Sequence, residues 1–322
     1  MIAWIATEGG LKRLEQPVVD RIPEGTVWLD LVDITRDEER TVEETLKIEI
    51  PTRAEQQEIE ASSRLYRQGH VVYMTATHLI KTETESPETS PVTFILCKDR
   101  LITLRYAEPW SFRTFTSRAP KSGATNAEQV FVNLMEITVE RLADLLELVS
   151  LELEHVSQQI FRRRQQSDAE VDLQRAIVKI GTCGNISGKV RESLLDKNRV
   201  ITFAEQATQE WMAPDLRSRL RASIHDIHSL SDHATFTGSK INFLLDATLG
   251  LINIEQNRII KIFSIAAVVF MPPTMIASVY GMNFGNDKMP ELNWRFGYEY
   301  ALVLMVASVV LTLWYFKRRR WL

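Results

Sequence analysis

The chain has 322 residues, a quarter of them charged, with 38 Lys and Arg against 42 Asp and Glu for a net charge of −4. That balance lacks the basic excess of a nucleic-acid binder. Two cysteines, Cys97 and Cys183, stand far apart and match neither a disulfide framework nor a metal or redox spacing.

The first stretch, "MIAWIATEGGLKRLEQP", turns polar after six residues, too soon for a secretory signal core, and a cytosolic setting suits most of the chain. Residues 1–120 read as an α/β domain. "MIAWIAT", "TVWLDLV", "HVVYMTATHLI", "PVTFILCK" and "RLITLRY" are rich in β-branched and aromatic residues and are bounded by breakers. "TRDEERTVEETLKIEI" reads as a helix opened by Thr35, with Glu38 at capping-box spacing. "TETESPETSP" reads as a polar loop before a strand. Strands arriving singly and in pairs predict a mixed sheet with flanking helices, an α+β domain.

From Asn126 apolar residues recur at spacings of three and four for about 35 residues, which predicts a long helix. "QQSD" breaks it, and a second helix is expected from Asp168 to about Ala207, completing a helical hairpin over 121–207. Gly181, Gly184 and Gly188 share one face of that second helix. Close approach of another helix is the ordinary explanation, and a hinge the sharper one. Pro214 then opens a stretch with no further proline before Pro272, so residues 214–280 read as one helix about 100 Å long. Residues 208–258, which take in its first part, are read as a stalk, and a helix that long needs a partner along its length, for which self-association is the natural source.

Two apolar runs end the chain. Residues 259–280 and 298–316 are each about the length that spans a bilayer, with one charge near the start of each, Lys261 and Glu299. Arg258 and Lys261 flank the first run, and Lys317, Arg318, Arg319 and Arg320 begin a basic tail over 317–322, whereas Asp287, Lys288, Glu291 and Arg295 cancel in the loop between. The positive-inside rule puts both termini in the cytoplasm and the loop over 281–297 outside. Trp294, Tyr298 and Tyr300 at one end, and Trp314, Tyr315 and Trp321 at the other, suit the two interfacial belts. Pro272-Pro273 inside the first span reads as a kink, with carbonyls freed toward ions as the alternative. Asn257, Ile260, Ser264, Ala267, Met271, Thr274 and Ser278 follow at steps of three and four, a stripe that serves either a pore or a helix-packing seam.

"YGMN" at 280–283 closes the first span and is followed by "MPEL" and an aromatic. This resembles the signature of CorA-type magnesium and cobalt transport proteins. "NIEQNRIIKIFSIAAVVFMPPTMIASVYGMNF" and the terminal "YFKRRRWL" resemble the proteobacterial branch, and the layout of the whole chain fits. The resemblance implies a homopentameric funnel in a bacterial inner membrane, with the first span lining a pore and the second ringing it. It implies a filter at Gly281, Met282 and Asn283, and pore-lining residues Asn257, Ile260, Phe263, Ala267, Met271, Thr274 and Ser278, with Phe263 in place of Ser264 as the constriction. Gly281 would let the chain turn, Met282 would pack against neighbours, and Asn283 amide oxygens would accept hydrogen bonds from waters of a hydrated Mg²⁺. A turn motif without an ion role is the plainer reading of Asn283.

Mg²⁺ is then both transported and regulatory ion, and no organic cofactor is expected. No phosphate-binding or catalytic motif appears. A divalent ion gains about 4.6 kcal/mol per 100 mV of inside-negative potential, enough for uptake without an energy-coupling enzyme. The loop is about two residues longer than the family pattern, though Asp287 and Glu291 could still form an acidic mouth. Ala222 falls where relatives place a regulatory Asp; Asp226 and Asp232 are the nearest substitutes, and Asp246 matches an acidic position nearer the membrane. His225, His228 and Asp232, at i, i+3 and i+7, could bind Zn²⁺, Co²⁺ or Ni²⁺, against a plainer solvated or packing face. The expected function is Mg²⁺ uptake, with Co²⁺ and Ni²⁺ as further cargo and closure by intracellular Mg²⁺. A Zn²⁺ transporter of the same fold and a membrane-tethered scaffold or sensor are the alternatives.

Overall fold

The computed structural model describes residues 1–14, 22–58, 60–84, 86–162, 173–282 and 294–319. Two compact units emerge, Met1–Asp246 and Ala247–Leu322.

The first unit is built on a seven-stranded mixed sheet in the order β2-β1-β3-β7-β6-β5-β4. The strands are β1 (Ile2–Thr7), β2 (Gly10–Arg13), β3 (Thr26–Val32), β4 (Leu65–Gln68), β5 (Val71–Ile80), β6 (Glu88–Leu96) and β7 (Leu101–Arg105). Only β3 and β7 pair in parallel; every other neighbouring pair is antiparallel. Successive side chains point to opposite faces, so each strand feeds two cores. Trp28, Met74, Phe94 and Leu101 meet Phe112 and Phe115 of α4 (Trp110–Arg118) and Phe131 of α5 (Ala127–Arg162). Leu29, Tyr73, Ile95 and Ile102 meet Val42 of α1 (Arg36–Leu46) on the other side.

The capping box at the start of α1 is formed: Thr35 accepts from the Glu38 backbone, and the Glu38 carboxylate accepts from the Thr35 N–H. The helix stops at Lys47, which is left-handed at φ 52°, and does not run on to Ile50. Ile48 and Ile50 alternate into the second core, and that burial wins over helical continuation. The loop expected over Thr82–Pro91 is shorter, because Glu88, Thr89 and Ser90 pair with Ile80, Leu79 and His78. Two short helices, α2 (Arg53–Gln56) and α3 (Ala61–Arg64), lead into β4.

β4 pairs with β5 only as far as Leu65↔Met74, which leaves the rest of the β5 edge open. Helix α6 (Leu173–Ala207) closes it with side chains. The Thr77 N–H donates to Asp196 Oδ2 at 2.6 Å, while Lys197 Nζ (2.6 Å) and Ser193 Oγ (3.3 Å) donate to the Thr77 carbonyl. Arg64 Nη2 reaches the same Asp196 oxygen at 2.7 Å. A sheet edge is thereby covered without another strand. Lys197 is fully buried, and burial brings its ammonium down to about 8. Burial also holds the neighbouring His78 imidazole well below its ordinary value, with the Lys197 charge adding to the effect.

Helices α5, α6 and α7 (Pro214–Tyr280) are the long elements, and α7 is continuous for 67 residues as its pattern predicts. In the first unit α7 runs parallel to α5. Arg219 bonds Glu136 and Asn133, Ser150 meets His233 at 3.1 Å, and Lys240 reaches Glu154 at 3.0 Å. The glycine face of α6 is not a general close-approach surface. A Cβ at Gly184 would only touch Ile241, at 3.7 Å, and at Gly181 or Gly188 it would meet nothing within 4 Å.

In the second unit, α7 is followed by α8 (Gly297–Arg318). Its last turn contains Lys317 and Arg318, so the basic tail begins inside the helix, where cations favour the negative end of the helix dipole.

Candidate functional site

Among the described residues two helices, α7 and α8, are long and apolar enough to cross a membrane by length and composition, and little of either apolar segment is buried. A hairpin forming the core of a soluble protein would be buried, so exposure together with apolarity counts against that reading.

The stripe on α7 lies on the uncovered side. Asn257, Ala267, Thr274 and Ser278 are exposed, as are Ile260 (61%), Phe263 (69%) and Met271 (67%). The more covered side is made by Ile265, Val269 and Ile276. The exposed arc is wider than the stripe, since Ile262, Phe270 and Met275 are open too. Ser264 and Phe263 are both exposed, so exposure alone does not choose between them.

Helix α7 passes through Pro272 and Pro273 without ending. Their missing N–H groups leave the Val268 and Val269 carbonyls without the usual donor four residues on. At 100° per residue, Val268 lies next to the Asn257 edge of the stripe and Val269 on the opposite face, so the two freed carbonyls are not both on the stripe. The Thr274 hydroxyl donates to the Phe270 carbonyl at 2.7 Å, so its proton is committed and its lone pairs are left as acceptors.

The end of α7 is tight. The Gly281 N–H donates to the Ala277 carbonyl at 2.9 Å, and the Met282 N–H to that of Val279 at 3.3 Å. Gly281 is not among the residues at positive φ, so the chain turns here without a left-handed residue. A Cβ there would stand 3.0 Å from the Ala277 carbonyl oxygen, a close approach to backbone. Met282 is half exposed. Asn283, Asp287 and Glu291 lie outside the described residues, as do Arg320 and Trp321.

Aromatic residues mark both ends of α8. Trp294 meets Tyr300 edge-on at 6.1 Å, and Tyr298 is 76% exposed. At the other end the Arg318 guanidinium lies 5.4 Å over Trp314, and that of Arg319 lies 6.0 Å over Tyr315. The i, i+4 spacing of Trp314–Arg318 and Tyr315–Arg319 was visible in the sequence as a signal for this stacking.

The regulatory candidates do not converge within one protomer. Asp226 lines a groove of about 420 Å³ between α5 and α7 with Glu136, Glu140 and Arg219. Arg219 already pairs with Glu136 there. Asp232 and Asp246 are exposed elsewhere on α7. Among the described residues, no group of three or more His, Cys, Asp or Glu is arranged to hold a metal, so His225, His228 and Asp232 do not form the three-ligand site their spacing allows.

A family model described as CorA-like Mg²⁺ transporter protein matches residues 23–318. The magnesium transport protein CorA of Escherichia coli (strain K12) is 36% identical over 318 residues, covering 97% of this chain and 96% of the relative. That of Pasteurella multocida (strain Pm70) is also 36% identical, covering 96% and 98%. The complete structure of the CorA magnesium transporter from Methanocaldococcus jannaschii aligns with a TM-score of 0.74 at 17% identity, over 100% of this chain and 98% of that one. At that identity the structural likeness speaks for the fold.

Proposed function

The chain belongs to the CorA-like Mg²⁺ transporter family, and on that premise we propose that it is a homopentameric channel for Mg²⁺ uptake. The observation that carries this is the family match over 23–318, which includes a helix ending at Tyr280-Gly281, where the Gly-Met-Asn filter begins. Five copies of α7 place Asn257, Ile260, Phe263, Ala267, Met271, Thr274 and Ser278 around an axis, with α8 outside. The polar rings of Asn257, Thr274 and Ser278 act as stops for a hydrated ion, and Ile260, Phe263 and Met271 as apolar constrictions that gate by dewetting. Gly281, Met282 and Asn283 form the outer filter, and Asp287 and Glu291 the acidic mouth.

The membrane potential drives entry. Co²⁺ and Ni²⁺ share the path. The protein sits in the inner membrane with both termini cytoplasmic, and the domain limits follow the sequence reading. Intracellular Mg²⁺ closes the channel through Asp226, Asp232 and Asp246, with ligands combined from neighbouring copies. Asp246 precedes Asn257 by eleven residues, about three turns, which puts it on the same helical face.

The test is Mg²⁺ entry into liposomes holding the purified protein under an imposed inside-negative voltage, for wild type and Asn283→Ala. Entry lost in the variant supports the filter. Entry in both retains the channel and removes Asn283 as its selector. No Mg²⁺ entry from the folded pentamer at low internal Mg²⁺ refutes the proposal, and Zn²⁺ in the same assay then separates a zinc transporter from a scaffold.

A further inference from the structure

We propose that the C-terminal end of α8 is a binding site for the phosphate headgroup of an anionic phospholipid, built by the stacked guanidinium groups of Arg318 and Arg319. The inference rests on α8 crossing the membrane, not on which ion the protein carries.

Val303, Ala307, Val310, Leu311, Trp314 and Arg318 fall within an arc of about 100° on α8, and all are exposed. One face of the helix therefore passes from aliphatic carbon, through an indole, to a guanidinium. That order matches the order of a lipid from its tail to its headgroup. The span fits as well. Tyr298 and Arg318 are twenty residues apart, about 30 Å along a helix, which is the thickness of the hydrocarbon core. When Tyr298 lies at one boundary, Arg318 reaches the other, with Trp314 one turn inside it.

The rings hold the guanidinium groups in place. Each arginine lies over the aromatic ring four residues earlier, which leaves the N–H edges of the fork free to donate. Phosphate accepts two parallel N–H bonds from such a fork. Arg258, Lys261, Lys317, Arg318 and Arg319 form no ion pair with another described residue. The sequence from Ala301 to Arg319 contains no acidic residue. The α8 of a second copy at the same level would thus bring like charge, whereas an anionic leaflet brings the opposite charge.

The experiment measures lipid selectivity by electron paramagnetic resonance of spin-labelled lipids around the full-length protein in phosphatidylcholine bilayers. The probe is phosphatidylglycerol, compared with phosphatidylcholine. The wild type is expected to prefer the anionic lipid by about fivefold or more, and Arg318→Gln/Arg319→Gln to show a preference near one. Size exclusion checks that both keep the same assembly. No preference in the wild type overturns the site, and so does an intact preference in the variant. Millimolar inorganic phosphate is expected to leave the preference unchanged; its loss would mark a free-phosphate site and overturn the lipid assignment. Mg²⁺ entry is measured on the same samples. Entry without lipid preference sinks this inference alone, and preference without entry sinks the transport reading alone.

Discussion

Asp30 on β3 and Arg105 on β7 form a buried ion pair across the one parallel pairing of the sheet, with Arg105 Nη2 2.8 Å from Asp30 Oδ2 and Arg105 Nε between the two carboxylate oxygens. The Thr103 hydroxyl donates to Asp30 Oδ1 at 2.8 Å and accepts from Trp28 Nε1 at 3.0 Å. The Arg105 Nη1 reaches the Ala107 carbonyl, and the guanidinium lies 5.1 Å from the Phe112 ring centroid. Charge, hydroxyl and indole are thus satisfied together inside an apolar core, which is the condition for tolerating a charge there.

Removing one partner leaves the other charged and buried. Asp30→Asn and Arg105→Met are each expected to destabilise the protein by about 3–5 kcal/mol, while the double change to apolar residues costs markedly less. Denaturant unfolding followed by tryptophan fluorescence measures this. Equal and additive losses would mean the pair is not coupled.

Lys197 carries a pH dependence of definite sign. Its folded value of about 8 lies below the 10.5 of the free side chain, so between these the unfolded chain binds more protons. Stability contributed by this group therefore rises as pH increases from about 8 to 10.5, and the burial penalty is present in full below that window. Relative to Lys197→Met, the wild type should gain roughly 3 kcal/mol across it. Parallel stability curves for the two proteins would contradict the buried ammonium.

At Gly281 the objection to a side chain is steric, since the nearest atom is the backbone oxygen of Ala277. Gly281→Ala is expected to cost about 1–3 kcal/mol at the end of α7 and to reduce Mg²⁺ entry while leaving assembly intact. Unaltered flux would show that the chain end relaxes without consequence for the filter.

Thr274 separates hydroxyl chemistry from shape. Because the proton is held by the Phe270 carbonyl, the oxygen is what an ion in the proposed pore would meet. Thr274→Ser should conduct nearly as well as the wild type, and Thr274→Val should conduct roughly tenfold less, equivalent to about 1.4 kcal/mol on the barrier. Full flux in the valine variant would remove this ring as a polar stop.

Much of this protein is written locally. Helical periodicity from Pro214, continuing through Pro272 and Pro273, marked out α7 to Tyr280, and β-branched clusters located β1, β3, β5, β6 and β7, because these signals act over a few residues. The exposed stripe on α7 and the two described helices long and apolar enough to cross a membrane were legible for the same reason. Tertiary structure decided what depends on distant partners. Glu88–Ser90 is polar enough to read as loop, yet β5 offers it hydrogen bonds. β2 and β4 are four residues each and take their conformation from the strand beside them. Asp30 cannot be assigned to Arg105, or Thr77 to Lys197, from sequence, since 75 and 120 residues separate them. Local periodicity determines which elements form; long-range burial and the need to satisfy every buried polar group determine where they end and what they hold.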